Sequence, residues 1–454
     1  MTATQNGSGE HTEHAKNYLL TEPEFKIEGV STGYRWYVFG ILALLYAFDY
    51  ADRLVMGAVQ EMIRVEWALT DTQISWLSTV IWLTVGFLAL PVSFLIDRWS
   101  RRKSISIMAM IWSIATLACR FVPNFGSLLF FRGVLGFGEA GYSAGAFPLL
   151  SAYFSREKRA MVFGLFSAFT AIGAATGVLV GGHIANAYGW RWSFGVVAIP
   201  GIILAILAWF IKDYETVPIE TSAKTTAKTV GKTIIHIMKI PSFIFAAIGT
   251  MFHDIAFAGL MMWLTTFIIR YRMPELDLDV ATAKASTISG IIMLMALVGS
   301  PLGGVIAHFF YKRTPRGRSY TAAISTFFMA VMIFVFAITA ENVTTPVFMV
   351  LGILMGISVT LYIAADASLN QDIVHQGYRS VVWGMRMIIT MALGGAMGIL
   401  LTGFLSDTFE SLKVSIIIMS GFGVLASISY LIGARFYETD LKKVAVLDLK
   451  AEEK

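Results

Sequence analysis

The segment WYVFGILALLYAFDYADRLVMGAV, from Trp36 to Val59, is a long apolar block interrupted only by Asp49, Asp52 and Arg53. An α-helix of about 20 apolar residues crosses the ~30 Å hydrocarbon core of a bilayer, so this block predicts a transmembrane helix. Similar blocks recur along the chain, in which 56% of the 454 residues are hydrophobic and 14% are charged. Soluble domains carry about 25% charged residues. The composition therefore excludes an ordinary water-soluble enzyme and predicts an all-α polytopic membrane protein.

Apolar runs between charged, proline or glycine breaks predict twelve transmembrane helices in two pseudo-symmetric halves of six. The longest polar connection follows the sixth run and separates the halves. We therefore expect an N-terminal cytoplasmic tail (1–34), a six-helix bundle (35–211), a cytoplasmic linker (212–240), a second six-helix bundle (241–437) and a cytoplasmic tail (438–454). The expected spans lie near 35–58, 75–96, 104–121, 126–153, 160–184, 193–211, 241–269, 285–310, 320–340, 345–370, 380–404 and 414–436.

Basic residues concentrate in alternate loops, which indicates the orientation of the spans. Short connections at 98–103, 156–159 and 312–318 are rich in Lys and Arg, as are the linker and the tail. Because cytoplasmic loops carry an excess of Lys and Arg, both termini are expected in the cytoplasm, with a bacterial inner membrane as the expected location. The net charge of +5, from 35 basic and 30 acidic residues, is thus explained by topology. No nucleic-acid partner is expected, whereas membrane lipids are expected partners.

The single cysteine, Cys119, lies in an apolar run, so no intrachain disulfide, cysteine-based zinc site or iron–sulfur cluster can form. The chain also lacks the GxxxxGK[ST] spacing of a P-loop, which makes ATP an unsupported energy source. No cofactor, no metal and no enzymatic activity are therefore expected.

Ionisable residues inside the spans are the most informative positions, because a charge in hydrocarbon is costly unless it is paired or faces water. In the first span, Asp49 and Asp52 share a helical face, and Arg53 lies four residues after Asp49, where an ion pair can form. One carboxylate is then left over, which favours a proton-coupling role for Asp52 or Asp49. The alternative is a purely structural Asp49–Arg53 pair.

Arg132 and Glu139 lie seven residues apart in the fourth span, on one helical face but about 10.5 Å apart along the axis. Since they are too far apart to touch, each needs a partner elsewhere, and the first span is the expected supplier. We expect Glu139 to take up or release a proton, and Arg53 and Arg132 to attract a substrate anion.

The second half carries its own buried charges. His253 and Asp254 are adjacent in an apolar run, where either could bind substrate or form a structural pair. Asp366 follows Tyr362 by four positions, which places an aromatic ring and a carboxylate on one face. With Arg386 in the eleventh span, these residues would suit an anion with an apolar body.

A charged loop after the second span, with Asp97, Arg98, Arg101 and Arg102, lies at the expected cytoplasmic rim. Its basic residues can meet lipid headgroups while Asp97 caps or pairs with a helix end, which indicates a gate. Simple positive-inside topology is the alternative. His308 occupies the corresponding place in the second half, since Gly304-x-x-x-His308 echoes Ser93-x-x-x-Asp97. Such internal repeats are typical of transporters whose halves rock about a central site.

The whole chain resembles the major facilitator superfamily of secondary transporters, and within it the Spinster-like branch. The residues that carry the resemblance are Asp52-Arg53, Asp97-Arg98-Trp99-Ser100-Arg101-Arg102 and Arg132-Gly133-x-x-Gly136-x-Gly138-Glu139-Ala140-Gly141-Tyr142-Ser143. The resemblance implies alternating access driven by a proton or ion gradient, with coupling and recognition at Asp52, Arg53, Arg132 and Glu139 and gating at the Asp97 loop. Ser93 and His308 depart from the glycine and the acidic residue usual in the superfamily.

These observations predict a secondary transporter that moves an organic anion together with protons, or with sodium as the alternative ion. A second hypothesis is an exporter or flippase of lysophospholipid-like or sphingoid-like amphipathic anions, a class linked to eukaryotic Spinster relatives. A third is a membrane sensor that has lost transport, although the buried charges are costly for a scaffold. We expect the protein to act as a monomer.

Overall fold

The computed structural model describes residues 27, 29–97, 99–213, 231, 234–374 and 379–452, apart from some side chains, those of Asp97 and Trp383 among them. Secondary structure in these residues is helical throughout. Helices of the first half are α1 Thr32–Glu66, α2 Asp71–Asp97, α3 Arg101–Cys119, α4 Phe125–Glu139, α5 Tyr142–Tyr153, α6 Arg156–Tyr188 and α7 Trp190–Trp209. Those of the second are α8 Pro241–Arg272, α9 Leu278–Leu294, α10 Ala296–Tyr311, α11 Gly317–Thr339, α12 Thr345–Ser358, α13 Ile363–Asp372, α14 Arg379–Met387, the π-helix α15 Ile388–Ala396, α16 Met397–Thr408 and α17 Leu412–Glu452.

Nine segments of the described chain are long and apolar enough to cross a bilayer. The first, third and fourth expected spans lie on α1, α3 and the pair α4–α5, which do not meet that criterion. Two of these three spans carry the charges that the sequence marks as functional. The expected arrangement of twelve passes is consistent with these helices.

Several passes that the sequence predicts as single helices are interrupted. The fourth breaks between α4 and α5, the eighth between α9 and α10, and the tenth between α12 and α13, while the eleventh contains the π-helix α15. Hydropathy reports only how far an apolar run extends, so it misses breaks that keep the chain apolar. Such breaks are tolerated in a membrane where protein rather than lipid surrounds them.

α1 lies against α6 through small residues, which lets the two backbones approach closely. A Cβ added to Gly173 would lie 2.0 Å from the carbonyl oxygen of Ala47, and one added to Gly177 would lie 2.5 Å from that of Ala51. This contact fixes the height and rotation of α1, which carries Arg53.

The last helix, α17, continues through 438–452, the segment assigned to the tail from the sequence. Asp440 is buried and accepts hydrogen bonds from the backbone N–H of Ser242 at 3.1 Å and from its hydroxyl at 2.7 Å, which caps the start of α8. Tyr437 donates to Asp372 at the end of α13 at 2.6 Å. The start of this segment is therefore part of the folded second half.

The two halves are joined by hydrogen bonds near the end of the bundle opposite the basic loops. Gln60 on α1 donates to the carbonyl of Met262 at 3.1 Å and to the hydroxyl of Thr266 at 2.9 Å, both on α8. Ser75 on α2 donates to the carbonyl of Ile399 on α16 at 3.0 Å. Below this seal, side chains from both halves border small cavities.

Candidate functional site

The first half contains a buried cluster in which one guanidinium faces two carboxylates. Arg53 Nε donates to Glu139 Oε2 at 2.6 Å, and Arg53 Nη2 pairs with Asp49 Oδ2 at 3.1 Å. All three side chains are at most 6% exposed. The pairing of Arg53 with Asp49 follows the spacing in the sequence, and Glu139 finds its partner on the first span as expected.

Asp52 and Arg132 lie beside this cluster but do not share an ion pair. The Arg132 guanidinium is fully buried and donates to backbone carbonyls, those of Leu77 at 2.9 Å, Asp52 at 3.0 Å and Arg53 at 3.4 Å. One carboxylate oxygen of Asp52 is buried and meets no hydrogen-bond partner in the described ranges. Arg132 therefore ties α4 to α1 and α2 at the level of the cluster.

A cavity of about 30 Å³ adjoins this cluster and is bordered by both halves of the protein. Asp49, Arg53 and Glu139 line it from the first half, and Met387 and Met391 from the second. Oxygen Oε1 of Glu139 is buried and has no hydrogen-bond partner among the described residues. Glu139 therefore combines a position in the cavity wall with one carboxylate oxygen that the described residues leave unsatisfied.

The second half has a matching buried pair. Arg386 on α14 forms an ion pair with Asp366 on α13, whose side chain is 2% exposed. Asp366 Oδ1 also accepts hydrogen bonds from Tyr430 Oη at 2.8 Å, from Asn370 Nδ2 at 3.0 Å and from Thr250 Oγ1 at 3.2 Å. The sequence marks Asp366 and Arg386 individually; their pairing comes from the structure.

A second cavity, of about 140 Å³, opens beside this pair. Its lining includes Tyr362, Asp366, Arg386, Met387 and Thr390. Within the part of the chain that the structure describes, nitrogen Nη1 of Arg386 is buried without a hydrogen-bond partner, so the guanidinium retains an unused donor. Met387 lines both cavities, which places the two charged clusters on either side of one methionine.

His253 and Asp254 bond to each other and to neighbouring helices. His253 Nδ1 lies 3.0 Å from Asp254 Oδ1, and Nε2 lies 3.1 Å from the carbonyl oxygen of Val359. Tyr362 donates to Asp254 Oδ1 at 3.2 Å and its ring lies 3.7 Å from the His253 ring, centroid to centroid. Neither residue lines the two cavities described above. They support Tyr362, which lines the larger one.

The expected rim gate is only partly described. The side chain of Asp97 and all of Arg98 lie outside the described residues. Arg102 donates to the carbonyl of Ile211 at 3.0 Å, and Arg101 opens α3 beside it. His308 is exposed near the end of α10.

Sequence reasoning misses a charged group at the opposite end of the bundle. Arg270 on α8 contacts Glu61 on α1 and Asp71 on α2, and Arg64 contacts the same two acids. The sequence does carry a signal for this group, because all four residues lie near the ends of spans, on the side of the membrane with few basic loops. Tyr430, by contrast, has no sequence signal, because a tyrosine in an apolar run is ordinary.

Comparisons with known protein families and with individual proteins give results that agree with one another. A family model described as Major Facilitator Superfamily matches residues 41–399. Protein spinster homolog 1 of Xenopus laevis is 26% identical over 96% of this chain and 86% of its own length. Protein spinster of Drosophila melanogaster is 28% identical over 82% of this chain and 62% of its own length.

Solved structures share the fold. A bacterial homologue of the human lysosomal transporter Spinster, in an inward-facing and unoccupied conformation, gives a TM-score of 0.77 at 21% identity over 90% of this chain and 99% of that one. A nucleoside transporter gives 0.69 at 14% identity over 87% and 98%. The architecture of two helical halves around a central space is therefore common to these proteins.

Proposed function

The chain belongs to the major facilitator superfamily as a Spinster-like transporter, and on that premise we propose that it moves an organic anion by alternating access coupled to protons. The fold class expected from the sequence and the expectation that the protein is not an enzyme are both confirmed by these relatives. The finer parts of the proposal, the anion and the proton, rest on the two buried clusters.

The observation that carries the proposal is the sharing of Arg53 between Asp49 and Glu139 in a buried site beside a cavity. One guanidinium balances one carboxylate, so a proton on Glu139 leaves the Arg53–Asp49 pair neutral and intact. Deprotonation of Glu139 restores one excess negative charge, which is stabilised when the Arg53 guanidinium stays close to Glu139. Proton binding thus changes which contacts between α1 and α4 are favoured, and a two-state protein responds by shifting its population.

Arg386 is the proposed anchor for the substrate anion. Arg386 lines the larger cavity and its guanidinium has an unused donor, for which a carboxylate or phosphate is the natural acceptor. The bound anion competes with Asp366 for this guanidinium, while Tyr362, Met387 and the methyl group of Thr390 border the apolar part of the ligand. Arg53, which lines the smaller cavity, is the second cation proposed to attract the anion. For Arg132 we propose a positioning role, since its donors are used by backbone carbonyls.

The proposed orientation in the membrane rests on the positions of the basic loops. The hydrogen bonds from Gln60 and Ser75 close the end opposite the basic loops. With the basic loops and both termini placed in the cytoplasm of a bacterial cell, the closed end would face outward. We propose that a monomer suffices, because both clusters and both cavities come from one chain.

The test is transport into proteoliposomes under an imposed pH gradient, with pooled organic acids and internal pH recorded. For one proton per substrate, one pH unit supports about tenfold accumulation. Glu139→Gln keeps an acceptor oxygen for Arg53 but removes the titratable group. We expect this variant to lose gradient-driven accumulation while exchange of substrate across the membrane persists.

Glu66→Gln is the matched control, since it makes the same substitution in the same half. Partial burial raises the pKa of Glu66, but hydrogen bonds from Trp190 at 2.6 Å and Arg191 at 2.8 Å outweigh burial and lower the pKa below its ordinary value. Glu66 therefore holds no proton at neutral pH, and its variant should accumulate substrate normally. Unchanged accumulation by Glu139→Gln would refute the coupling role.

Two further arms separate the remaining hypotheses. Accumulation driven by a sodium gradient, and not by a pH gradient, would identify sodium as the coupling ion. Lysolipid movement without uptake of small acids would favour the lipid exporter, and the absence of any flux would favour the sensor.

A further inference from the structure

The end of the bundle opposite the basic loops is closed by an arginine from one half and two acids from the other. Arg270 on α8 donates to Asp71 through Nη1 at 2.7 Å and to Glu61 through Nη2 at 2.7 Å. The Glu61 and Asp71 side chains are 6% and 7% exposed, while Arg270 is 21% exposed. Ser406, also from the second half, donates to Asp71 Oδ2 at 2.6 Å.

A second arginine stands beside the same acids but belongs to their own half. Arg64 lies one turn after Glu61 on α1, with Nη2 2.8 Å from Glu61 Oε1 and Nε 3.7 Å from Asp71 Oδ1. Its side chain is 33% exposed and therefore has room to move. Both carboxylates thus have one guanidinium that leaves when the halves separate and one that stays.

We propose that these four residues form a charge-exchange latch for outward opening: Arg270 holds the acids when this end is closed, and Arg64 takes over when it opens. Breaking an ion pair by removing one partner is costly because the other charge is left alone in a poorly solvated place. Arg64 lowers that cost at the moment Arg270 withdraws. The inference needs only alternating access and is independent of the proposed substrate and coupling ion.

The start of α2 repeats this arrangement without a cation. Asp407 on α16 accepts hydrogen bonds from the backbone N–H of Asp71 at 2.9 Å and of Thr72 at 2.7 Å. Thr70 and Gln73, which belong to α2's own half, cap each other's N–H groups at 2.9 and 3.2 Å. When Asp407 leaves with the second half, the helix keeps this local cap.

The latch predicts opposite effects for the two arginines. Removing Arg270 takes a contact from the closed state alone, so the open population rises. Removing Arg64 leaves the closed state with Arg270 but deprives the open state of its cation, so the open population falls. If the four residues were a passive clamp, removing Arg270 would loosen this end, whereas removing Arg64, which makes no ion pair across the halves among the described residues, would leave the open population unchanged.

The test uses a cysteine that is reached only when this end opens. Ser78 is buried at the contact between the halves, beside Met262, and Ser78→Cys preserves its size closely. The native thiol, Cys119, is buried and is removed as Cys119→Ser. An impermeant cationic methanethiosulfonate is applied to the outer face of right-side-out membrane vesicles, and the rate of modification is followed in each background. This rate tracks the open population even when that population is small.

We expect Arg270→Ala to raise the modification rate about tenfold and Arg64→Ala to lower it about threefold, the scale for partly exposed charge pairs. Arg272→Ala is the control, since Arg272 lies on the same helix but donates to the carbonyls of Ala340 and Val343 within its own half. An increase or no change with Arg64→Ala, or no change with Arg270→Ala, would overturn the latch. If either alanine variant fails to fold, Arg270→Lys and Arg64→Lys must show the same opposite signs with smaller changes.

Discussion

Replacing Tyr430 with phenylalanine tests whether the Tyr430 hydroxyl weakens the ion pair between Asp366 and Arg386. The Tyr430 hydroxyl donates to Asp366 Oδ1 at 2.8 Å and lies 2.9 Å from Thr250 Oγ1, in a site where the tyrosine is 1% exposed. This donor draws part of the carboxylate charge away from Arg386. Without it, Asp366 pairs more strongly with Arg386, and an incoming anion competes less well.

The size of the effect follows from the number of donors that remain. A hydrogen bond to a charged group contributes about 1.5 to 3 kcal/mol. Asp366 keeps Asn370 at 3.0 Å and Thr250 at 3.2 Å, so the lower value applies. About 1.5 kcal/mol corresponds to roughly a tenfold loss of apparent affinity.

The assay is the concentration dependence of uptake for the acid found in the proteoliposome screen. Tyr437→Phe is the matched control, because Tyr437 lies on the same helix and donates to another carboxylate, Asp372, at 2.6 Å. We expect a tenfold rise in KM for Tyr430→Phe and little change for Tyr437→Phe. An unchanged KM for Tyr430→Phe, or an equal rise in both variants, would refute the role of the Asp366–Arg386 pair in anion binding.

Two other substitutions probe the gate and the scaffold. Asp407→Ala removes the cap on α2 that comes from the other half, a contact worth about 1 kcal/mol. The modification rate of Ser78→Cys should then rise about fivefold. Thr408→Ala is the control, since the Thr408 hydroxyl bonds to Phe404 in its own helix and its loss should leave the rate unchanged; equal rates in both variants would contradict the role of the cap. Gly177→Ala places a methyl group against the carbonyl of Ala51 and should lower the midpoint of thermal unfolding in detergent, at a cost of about 1 to 3 kcal/mol. Gly164→Ala on the same helix meets open space and should unfold like the parent protein, so equal midpoints would show that α1 yields easily.

Local spacing predicts part of the site well. The pairing of Asp49 with Arg53 is a property of one helix, so four-residue spacing is enough to find it. The partner of Glu139 could be assigned to the first span because few other buried charges were available. Such arguments work when the charge inventory of a span is small.

The rest depends on how helices are placed against one another. Asp366 and Arg386 are recognisable separately, but their contact requires the rotation of α13 and α14, which a hydropathy pattern leaves undetermined. Tyr430 reaches Asp366 from α17, 64 positions later in the chain. Arg132 illustrates a different limit: its burial was expected, whereas the choice of backbone carbonyls over carboxylates is a matter of tertiary packing.

The π-helix α15 lies on the same pass as Arg386 and Asp407, between the cavity and the seal. A π turn closes on i→i+5 hydrogen bonds, so it contains more residues than an α turn. One residue of an α-helix corresponds to a rotation of about 100°. The number of residues per turn in α15 therefore sets how far one end of this pass is rotated about the helix axis relative to the other end. Regularising α15 to an α-helix would leave Asp407 in place at the seal only by turning Arg386 away from Asp366.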